Sequence, residues 1–394
     1  MRVLISGAGV AGPTLAFWLV RHGLTPTLVE AAPQLRTGGY IIDFWGAGFE
    51  VANRMGLLPE IRPRGYIVRE LRAVGDDGAT TVSVPTESFF EVSRGGFISI
   101  PRGDLAAAIY EALENKVETI FGDRITGIDE TGDGVTVSFE RSKTRRFDLV
   151  VGADGLHSGV RRLVFGEEAS FEKYLGFKVA AFAVPGYMPR DELVYVTYTR
   201  VGWQIGRFAM RDGRTMFLLI FRDSDPSIPS TLAEQKALLR ARFGGGGWEC
   251  DRILDALDGC SELYFDRVSQ IHMGDAPGTW SRGRVTLVGD AAFCVSFLAG
   301  QGTALAMTAA YILASELRRS GGDHAGAFAR YQQRFGPFVR AKQKAAMGMA
   351  NFFAPRSALA LFLRNRTMSL MGRPWLVKLA MGRSLMDRID LSQD

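Results

Sequence analysis

Little in this 394-residue chain points to a metal, a disulfide framework or a membrane span. The four histidines are scattered, with no His-Glu-x-x-His or comparable ligand spacing, so no metal centre is expected. Cysteine is scarce. Cys250, Cys260 and Cys294 are odd in number and form no Cys-x-x-Cys pair, which argues against a disulfide framework and fits a reducing, cytoplasmic setting. No stretch of about 18 uninterrupted apolar residues occurs, so no transmembrane helix is expected. Net charge is small: 47 basic and 42 acidic residues leave +5. No Lys/Arg run is interleaved with aromatics, and no nucleic-acid partner is expected. No repeat with a period of roughly 20–50 residues is visible. The run Gly244-Gly245-Gly246-Gly247 lacks the Lys-Ser/Thr of a P-loop and reads as a linker.

What is present is concentrated at the start. Val3-Leu4-Ile5-Ser6 reads as a strand, Gly7-Ala8-Gly9-Val10-Ala11-Gly12 as a turn of the form G-x-G-x-x-G, residues 13–22 as a helix closed by Gly23, and residues 25–29 as a second strand ending in Glu30. This is the dinucleotide-binding fingerprint. Gly7 permits the tight turn, Gly9 lets a pyrophosphate approach bare backbone, and Gly12 lets the helix pack on the strand. The helix start offers free N–H groups and a positive dipole end. Glu30 can accept from a ribose 2′-OH. Arg2 before an apolar stretch resembles a signal peptide, but three glycines and Glu30 favour the strand–helix–strand reading.

Further along, Gly38-Gly39 precede a strand-like 40–43 and a helix over 47–55. Residues 66–100 alternate like hairpin strands, and a helix is expected over 102–115. Residues 117–151 read as three strands, at 118–121, 135–140 and 148–151. Four strands are expected within 174–222, a helix over 233–243, strands over 263–271 and 284–289, and a long helix over 302–319 with helical chain after it. The β-rich stretches interrupt an α/β pattern, as when a sheet domain is inserted into a nucleotide domain.

Two more motifs follow. Residues 148–155, Asp-Leu-Val-Val-Gly-Ala-Asp-Gly, run an apolar strand into an Asp-Gly turn, followed by Ser158 and Arg161. Val288-Gly289-Asp290-Ala291-Ala292 precedes Gly300-Gln301-Gly302 at a helix start. Open α/β sheets bind ligands at such carboxyl ends. In order and spacing the three motifs resemble the group A FAD-dependent aromatic monooxygenases, the p-hydroxybenzoate hydroxylase family, and within it the tetracycline-inactivating and antibiotic-tailoring hydroxylases. The resemblance covers roughly residues 1–340. It implies an α/β fold: a Rossmann-like FAD-binding domain (1–75, 101–172 and 272–335), an inserted, mostly antiparallel β-sheet substrate domain (76–100 and 173–271), and a C-terminal helical segment (336–394). It implies that Gly7, Gly9, Val10, Ala11, Gly12 and Glu30 hold the ADP half of FAD, and that Arg102 contacts the cofactor. Asp154 would lie near the pyrophosphate and serve NAD(P)H use, Asp290 near the ribityl or pyrophosphate region, and Gly300, Gln301 and Gly302 by the isoalloxazine. Arg36 and Asp43 resemble positions near the flavin and the nicotinamide approach.

The implied activity is oxygenation of a small aromatic or polycyclic substrate, phenolic or polyketide-like. It would use non-covalent FAD, NAD(P)H as a transient co-substrate, O₂ and a flavin C4a-hydroperoxide. With one G-x-G-x-x-G there is no second Rossmann domain for the nicotinamide, and the Trp-x-Trp of flavin halogenases is absent. This chain departs from the family at Phe293 (usually His), Phe297 (usually Pro), Ala304 (usually Asn) and Ala31 (usually Arg). Cys294 falls near the flavin and reads as a packed core thiol. No general base is legible; Tyr198, Gln204, Arg207, Phe221 and Phe297 are the candidate substrate-pocket residues. From Arg340 to Arg388 the tail carries ten basic residues and one acid, Asp387. It reads as packed C-terminal helices, with contact to an anionic membrane as the alternative. Two other functions remain open: an FAD-dependent reductase of prenyl double bonds, and a non-catalytic flavin-binding protein. Monomer and homodimer are both compatible with the sequence.

Overall fold

The computed structural model describes residues 1–35, 40–87, 91, 93, 95–276, 278–370, 389 and 391. Arg36 lies outside them. A six-stranded sheet runs in the order Ser281–Arg282, Val285–Leu287, Leu149–Gly152, Arg2–Ser6, Thr25–Glu30, Glu118–Phe121, all pairs parallel except the first. Helices cover its faces, so its inner strands are continuous apolar runs rather than alternating ones. Val3, Leu4, Ile5, Leu149, Val150 and Val151 are wholly buried. The register aligns four strand ends: Leu287 pairs with Gly152, Gly152 with Ser6, and Ser6 with Val29. The three motif turns therefore leave the sheet side by side at the carboxyl ends of its strands.

A seven-stranded sheet runs Tyr264–Ile271, Glu172–Pro185, Arg214–Arg222, Trp203–Ala209, Val194–Arg200, Glu70–Val74, Thr80–Pro85. It is antiparallel except where Val194–Arg200 meets Glu70–Val74. Alternation gives it two faces. One carries Tyr198, Phe217, Leu219 and Phe221 against the helices Leu232–Phe243 and Cys250–Asp258. The other turns Val179 and Ile220 toward Leu298 and Phe297, and Phe208 and Met216 toward Tyr40 and Tyr66.

Several elements differ from the sequence reading. Glu70–Val74 lies in the seven-stranded sheet with Thr80–Pro85. Phe97–Pro101 pairs instead with Ile41–Trp45. Ile125–Thr131, not anticipated, forms a three-stranded sheet with Gly134–Phe139 and Arg145–Phe147. Its composition, Ile-Thr-Gly-Ile-Asp-Glu-Thr, is polar because only its first residue is buried. The helix Cys250–Asp258 was hidden behind the glycine run; only one of its faces is apolar.

The helix Gly302–Arg319 is buried from Ala304 to Leu317, and Gly48 of the helix Ala47–Arg54 approaches it so closely that a Cβ would lie 2.4 Å from the Ala304 Cα. Near its end, Glu316 is 3% exposed and receives Arg334 at 2.6 Å, Arg330 at 2.9 Å and Arg319 at 3.5 Å. The two former arginines come from the helix His324–Phe353, so the carboxylate joins two helices. Burial alone would raise the Glu316 carboxyl, but bonds from Arg334 and Arg330 outweigh it and hold it below the usual range. Removing one member of a buried charge cluster costs about 3–5 kcal/mol. Glu316→Ala is expected to lower unfolding free energy by about 3 kcal/mol at neutral pH. Because the folded value is depressed, the contribution is present above the ordinary value of 4.5 and is lost on acidification. Urea unfolding at both pH values checks this; an unchanged gap at low pH would contradict it.

His157 joins the two sheets. Its Nδ1 lies 2.9 Å from Glu168 and its Nε2 3.4 Å from Asp266 of the strand Tyr264–Ile271. Hydrogen bonds to Asp266 and Glu168 raise the imidazole to about 10. A raised cationic group stabilises fully below its unfolded value and loses that effect as pH rises through the folded one. The melting gap between wild type and His157→Asn should therefore persist from 6.5 toward neutral pH and close near 10. A gap already gone at neutral pH would show an uncharged ring.

Candidate active site

The glycine turn is built by close approach. Gly7 has φ +107°, and a Cβ there would lie 2.5 Å from the Ala153 carbonyl oxygen. A Cβ on Gly12 would lie 1.9 Å from the Gly7 carbonyl oxygen. Gly9 is the opposite case: the nearest atom to its Cβ position is the Arg102 guanidinium, 3.9 Å away. One glycine of the three faces open space, with a cation over it. Val10 provides no side-chain cap to the helix Ala11–Arg21, and no acid sits in the first turn, so the orphan N–H groups and the positive helix end face outward. Val10 and Ala11 are buried beside them. Glu30 accepts from the Ala8 N–H at 2.8 Å and the Ala32 N–H at 2.9 Å, pinning the turn from the neighbouring strand.

The Asp-Gly turn is held by its own carboxylate. Asp154 accepts from the Ser158 hydroxyl, from the Val160 N–H at 3.1 Å and from the Ser6 hydroxyl at 3.4 Å. Arg161 is wholly buried and donates to Ala291 O (2.9 Å), Leu156 O (2.6 Å) and Glu168 (2.9 Å). The second and third motifs are thereby tied together by a residue that the sequence reading left without a role. An arginine six residues after Gly155 is its only linear trace; its burial shows only in the fold.

Asp290 opens the short helix Asp290–Phe293. Burial raises its carboxyl, while the Arg102 charge and a hydrogen bond from the Cys294 thiol oppose the shift. Cys294 is buried with its thiol pushed well up by desolvation, and all three cysteines are free. Asp43 accepts from the Ser99 hydroxyl, and burial raises its carboxyl too. Asp43, Asp154 and Asp290 nevertheless retain accessible surface. Side chains both enclosed by protein and reachable by water line an interior cleft.

Three aromatic rings share that cleft. Tyr40 lies 4.8 Å from Phe297 and 5.4 Å from Tyr264, and Tyr264 stacks on Phe297 at 6.3 Å and 24°. Tyr264 is 39% exposed, yet desolvation drives its phenol well above the usual range. Tyr40 is raised by the same cause. Arg102 joins the two regions: its backbone N–H donates to the Tyr40 carbonyl at 3.1 Å while its guanidinium reaches Gly9. Gly300 takes φ +63° with a Trp45 ring carbon 3.8 Å from its Cβ position, Gln301 is buried, and Gly302 begins the long helix beside Asp290. Ser296 holds φ +113°, a strained value for a non-glycine residue, with its hydroxyl accepting from Leu298 N–H at 3.1 Å.

The structure separates the sequence candidates for the substrate pocket. Phe297 lies in the aromatic cluster, and Gln204 sits on the same sheet face as Ile220, donating to Thr199 at 2.8 Å. Tyr198, Arg207 and Phe221 are corrected: alternation puts them on the opposite face, under the helices. Tyr198 donates there to Asp76 or Gly246 O, Arg207 pairs with Glu249 and Asp191, and Phe221 packs on Phe243. Strand composition carries no signal of which face looks inward when both are covered. Tyr40 and Tyr264 were not anticipated as site residues for the same reason.

The residues present fit an adenine dinucleotide: an open glycine under a guanidinium, uncapped helix N–H groups, and a cleft leading from them to aromatic rings. Among the described residues, no group of three or more His, Cys, Asp or Glu could hold a metal. Comparison with known proteins agrees. Residues 1–201 match the family model for an FAD binding domain. An uncharacterized protein of Mycobacterium tuberculosis is 41% identical over 354 residues, covering 86% of this chain and 91% of that one. A flavin-dependent monooxygenase from an unknown prokaryotic organism is 34% identical over 359 residues, covering 89% and 90%. The crystal structure of tetracycline destructase Tet(55) superimposes with TM-score 0.84 at 30% identity, covering 99% of this chain and 97% of that one. With that cleft and these relatives, the chain belongs to the FAD-binding family of flavin-dependent monooxygenases.

Proposed function

We propose that this FAD-dependent monooxygenase oxygenates an aromatic or polycyclic substrate, phenolic or polyketide-like, held against Tyr40, Tyr264 and Phe297, with NAD(P)H as transient electron donor and O₂ as oxygen source. The observation that carries the reading is Arg102, whose guanidinium lies 3.9 Å from the Gly9 Cβ position and whose backbone N–H donates to the carbonyl of Tyr40, a member of the aromatic cluster. The tetracycline destructase likeness supports a polycyclic substrate. We assign the cofactor to the six-stranded sheet and the substrate to the inner face of the seven-stranded one, in a reducing, cytoplasmic compartment.

FAD, when bound, supplies the redox chemistry that activates O₂. The chain supplies the rest. Backbone at Gly7, Gly9, Val10, Ala11 and Gly12 receives the pyrophosphate at a positive helix end, and Glu30 accepts from ribose hydroxyls. Arg102 adds a positive charge over Gly9, and Asp290 accepts from polyol hydroxyls. Gly300, Gln301 and Gly302 present helix N–H groups to an electron-rich ring. Asp154 holds its turn in place, and Asp43 flanks the nicotinamide approach. Tyr40 and Tyr264 stay protonated, so their hydroxyls can donate to a phenolic or carbonyl oxygen. Phe297 extends the apolar wall that keeps water from the reacting atoms. The exposed apolar helix Ala358–Leu370 favours one other reading, reduction of prenyl double bonds.

Gly9→Val is expected to fold like wild type, because its side chain meets open space, but to lose most bound flavin. Gly12→Ala is expected to destabilise the fold itself, by about 3 kcal/mol from overpacking against backbone. Flavin absorbance per protein and urea unfolding separate the two; a fully yellow Gly9→Val protein would remove the cradle assignment. NADPH and O₂ consumption should rise with polycyclic phenols while peroxide stays low. Peroxide matching NADPH, or no stimulation by any phenol, would count against oxygenation of this substrate class.

A further inference from the structure

The helix Ala358–Leu370 is inside out. Its buried seam carries Arg364 and Met368, while Leu359, Phe362, Leu363 and Leu370 are 67%, 64%, 54% and 41% exposed. Arg364, 7% exposed, donates to Phe352 O at 2.8 Å and to Asn365 at 2.9 Å, and lies over the Phe352 ring. Met368 packs with Val82 and Val84 of the seven-stranded sheet. A helix facing only water turns its leucines in and its arginine out. The reverse order marks a surface meant for contact.

The charge around it selects the partner. Between Arg356 and Leu370 the chain carries Arg356, Arg364 and Arg366 and no acid, and Arg356 and Arg366 are exposed on or beside this helix. A two-fold contact between copies through this face would set like charges against one another. An anionic surface with an apolar interior satisfies both features. The helix has 13 residues, and among the described residues no single helix is long and apolar enough to cross a membrane. It is suited to lying in an interface.

We propose that this face docks on an anionic phospholipid surface, with Leu359, Phe362 and Leu363 entering the boundary between headgroups and acyl chains and Arg356 and Arg366 meeting lipid phosphates.

The test uses the full-length yellow holoprotein, co-sedimented with vesicles of phosphatidylcholine alone or mixed with phosphatidylglycerol. Binding is expected only to the mixed vesicles, to weaken with salt, and to fall about tenfold in a Leu359→Asn, Phe362→Asn, Leu363→Asn variant whose flavin content and melting temperature match wild type. Absence of wild-type binding, equal binding to both vesicles, or undiminished binding by the variant would overturn the proposal. So would gel filtration in which a wild-type dimer becomes a monomer in the variant, which would give the face to a second copy. A variant with a lowered melting temperature would likewise overturn it, since the face would then be covered within the chain.

Discussion

Arg161 is the interaction on which the rest depends. It is a guanidinium with no exposed surface, held by two backbone carbonyls and one carboxylate. Burial opposes its charge, and the Glu168 carboxylate answers only part of that cost. An uncompensated charge there costs several kcal/mol, so the carbonyls of Leu156 and Ala291 must stay where they are. Those carbonyls belong to the Asp-Gly turn and to the Asp290 turn, so one side chain sets the distance between two of the three ligand-facing turns. Glu168 passes the constraint on, through His157 and Arg267, to the strand Tyr264–Ile271.

The third turn is fixed by contact rather than charge. Gly12 lies on the Gly7 carbonyl and Gly7 on the Ala153 carbonyl, each too close for a methyl group. The glycine turn is therefore in register with the Asp-Gly turn, which Arg161 locks to the Asp290 turn. The resulting cleft is rigid where phosphates would lie and aromatic where it meets the second sheet. Arg102 bridges the two ends with its backbone on one and its side chain on the other.

The family departures acquire physical settings. Phe293 packs between Trp280 and Phe335, 4.9 Å and 5.3 Å away, and is a core residue. Ala304 faces Gly48 at helix–helix contact distance, where a larger side chain would push the helices apart. Unlike Phe293 and Ala304, Phe297 reaches the cleft, where it stacks with Tyr264. The exposed leucines of Ala358–Leu370 sit on a helix whose buried Met368 clusters with Val82, Val84 and Trp45.

The linear sequence determined what depends on local chemistry. The strand–glycine–helix unit, the apolar inner strands, the long helix from Gly302 and the three motif turns were all legible, because periodicity and glycine placement act over a few residues. It did not determine which face of a doubly covered strand looks inward. Tyr198, Gln204, Arg207 and Phe221 all read as pocket residues; pairing register leaves only Gln204 of these four on the inner face and brings Tyr264 there as well. It did not reveal that Phe97–Pro101 pairs with Ile41–Trp45, since strand partners 50 or more positions apart leave no local trace. Nor did it disclose the work of Arg161 or the inverted helix Ala358–Leu370. A buried arginine and an exposed leucine are defined by what packs around them, and only the tertiary structure decides that.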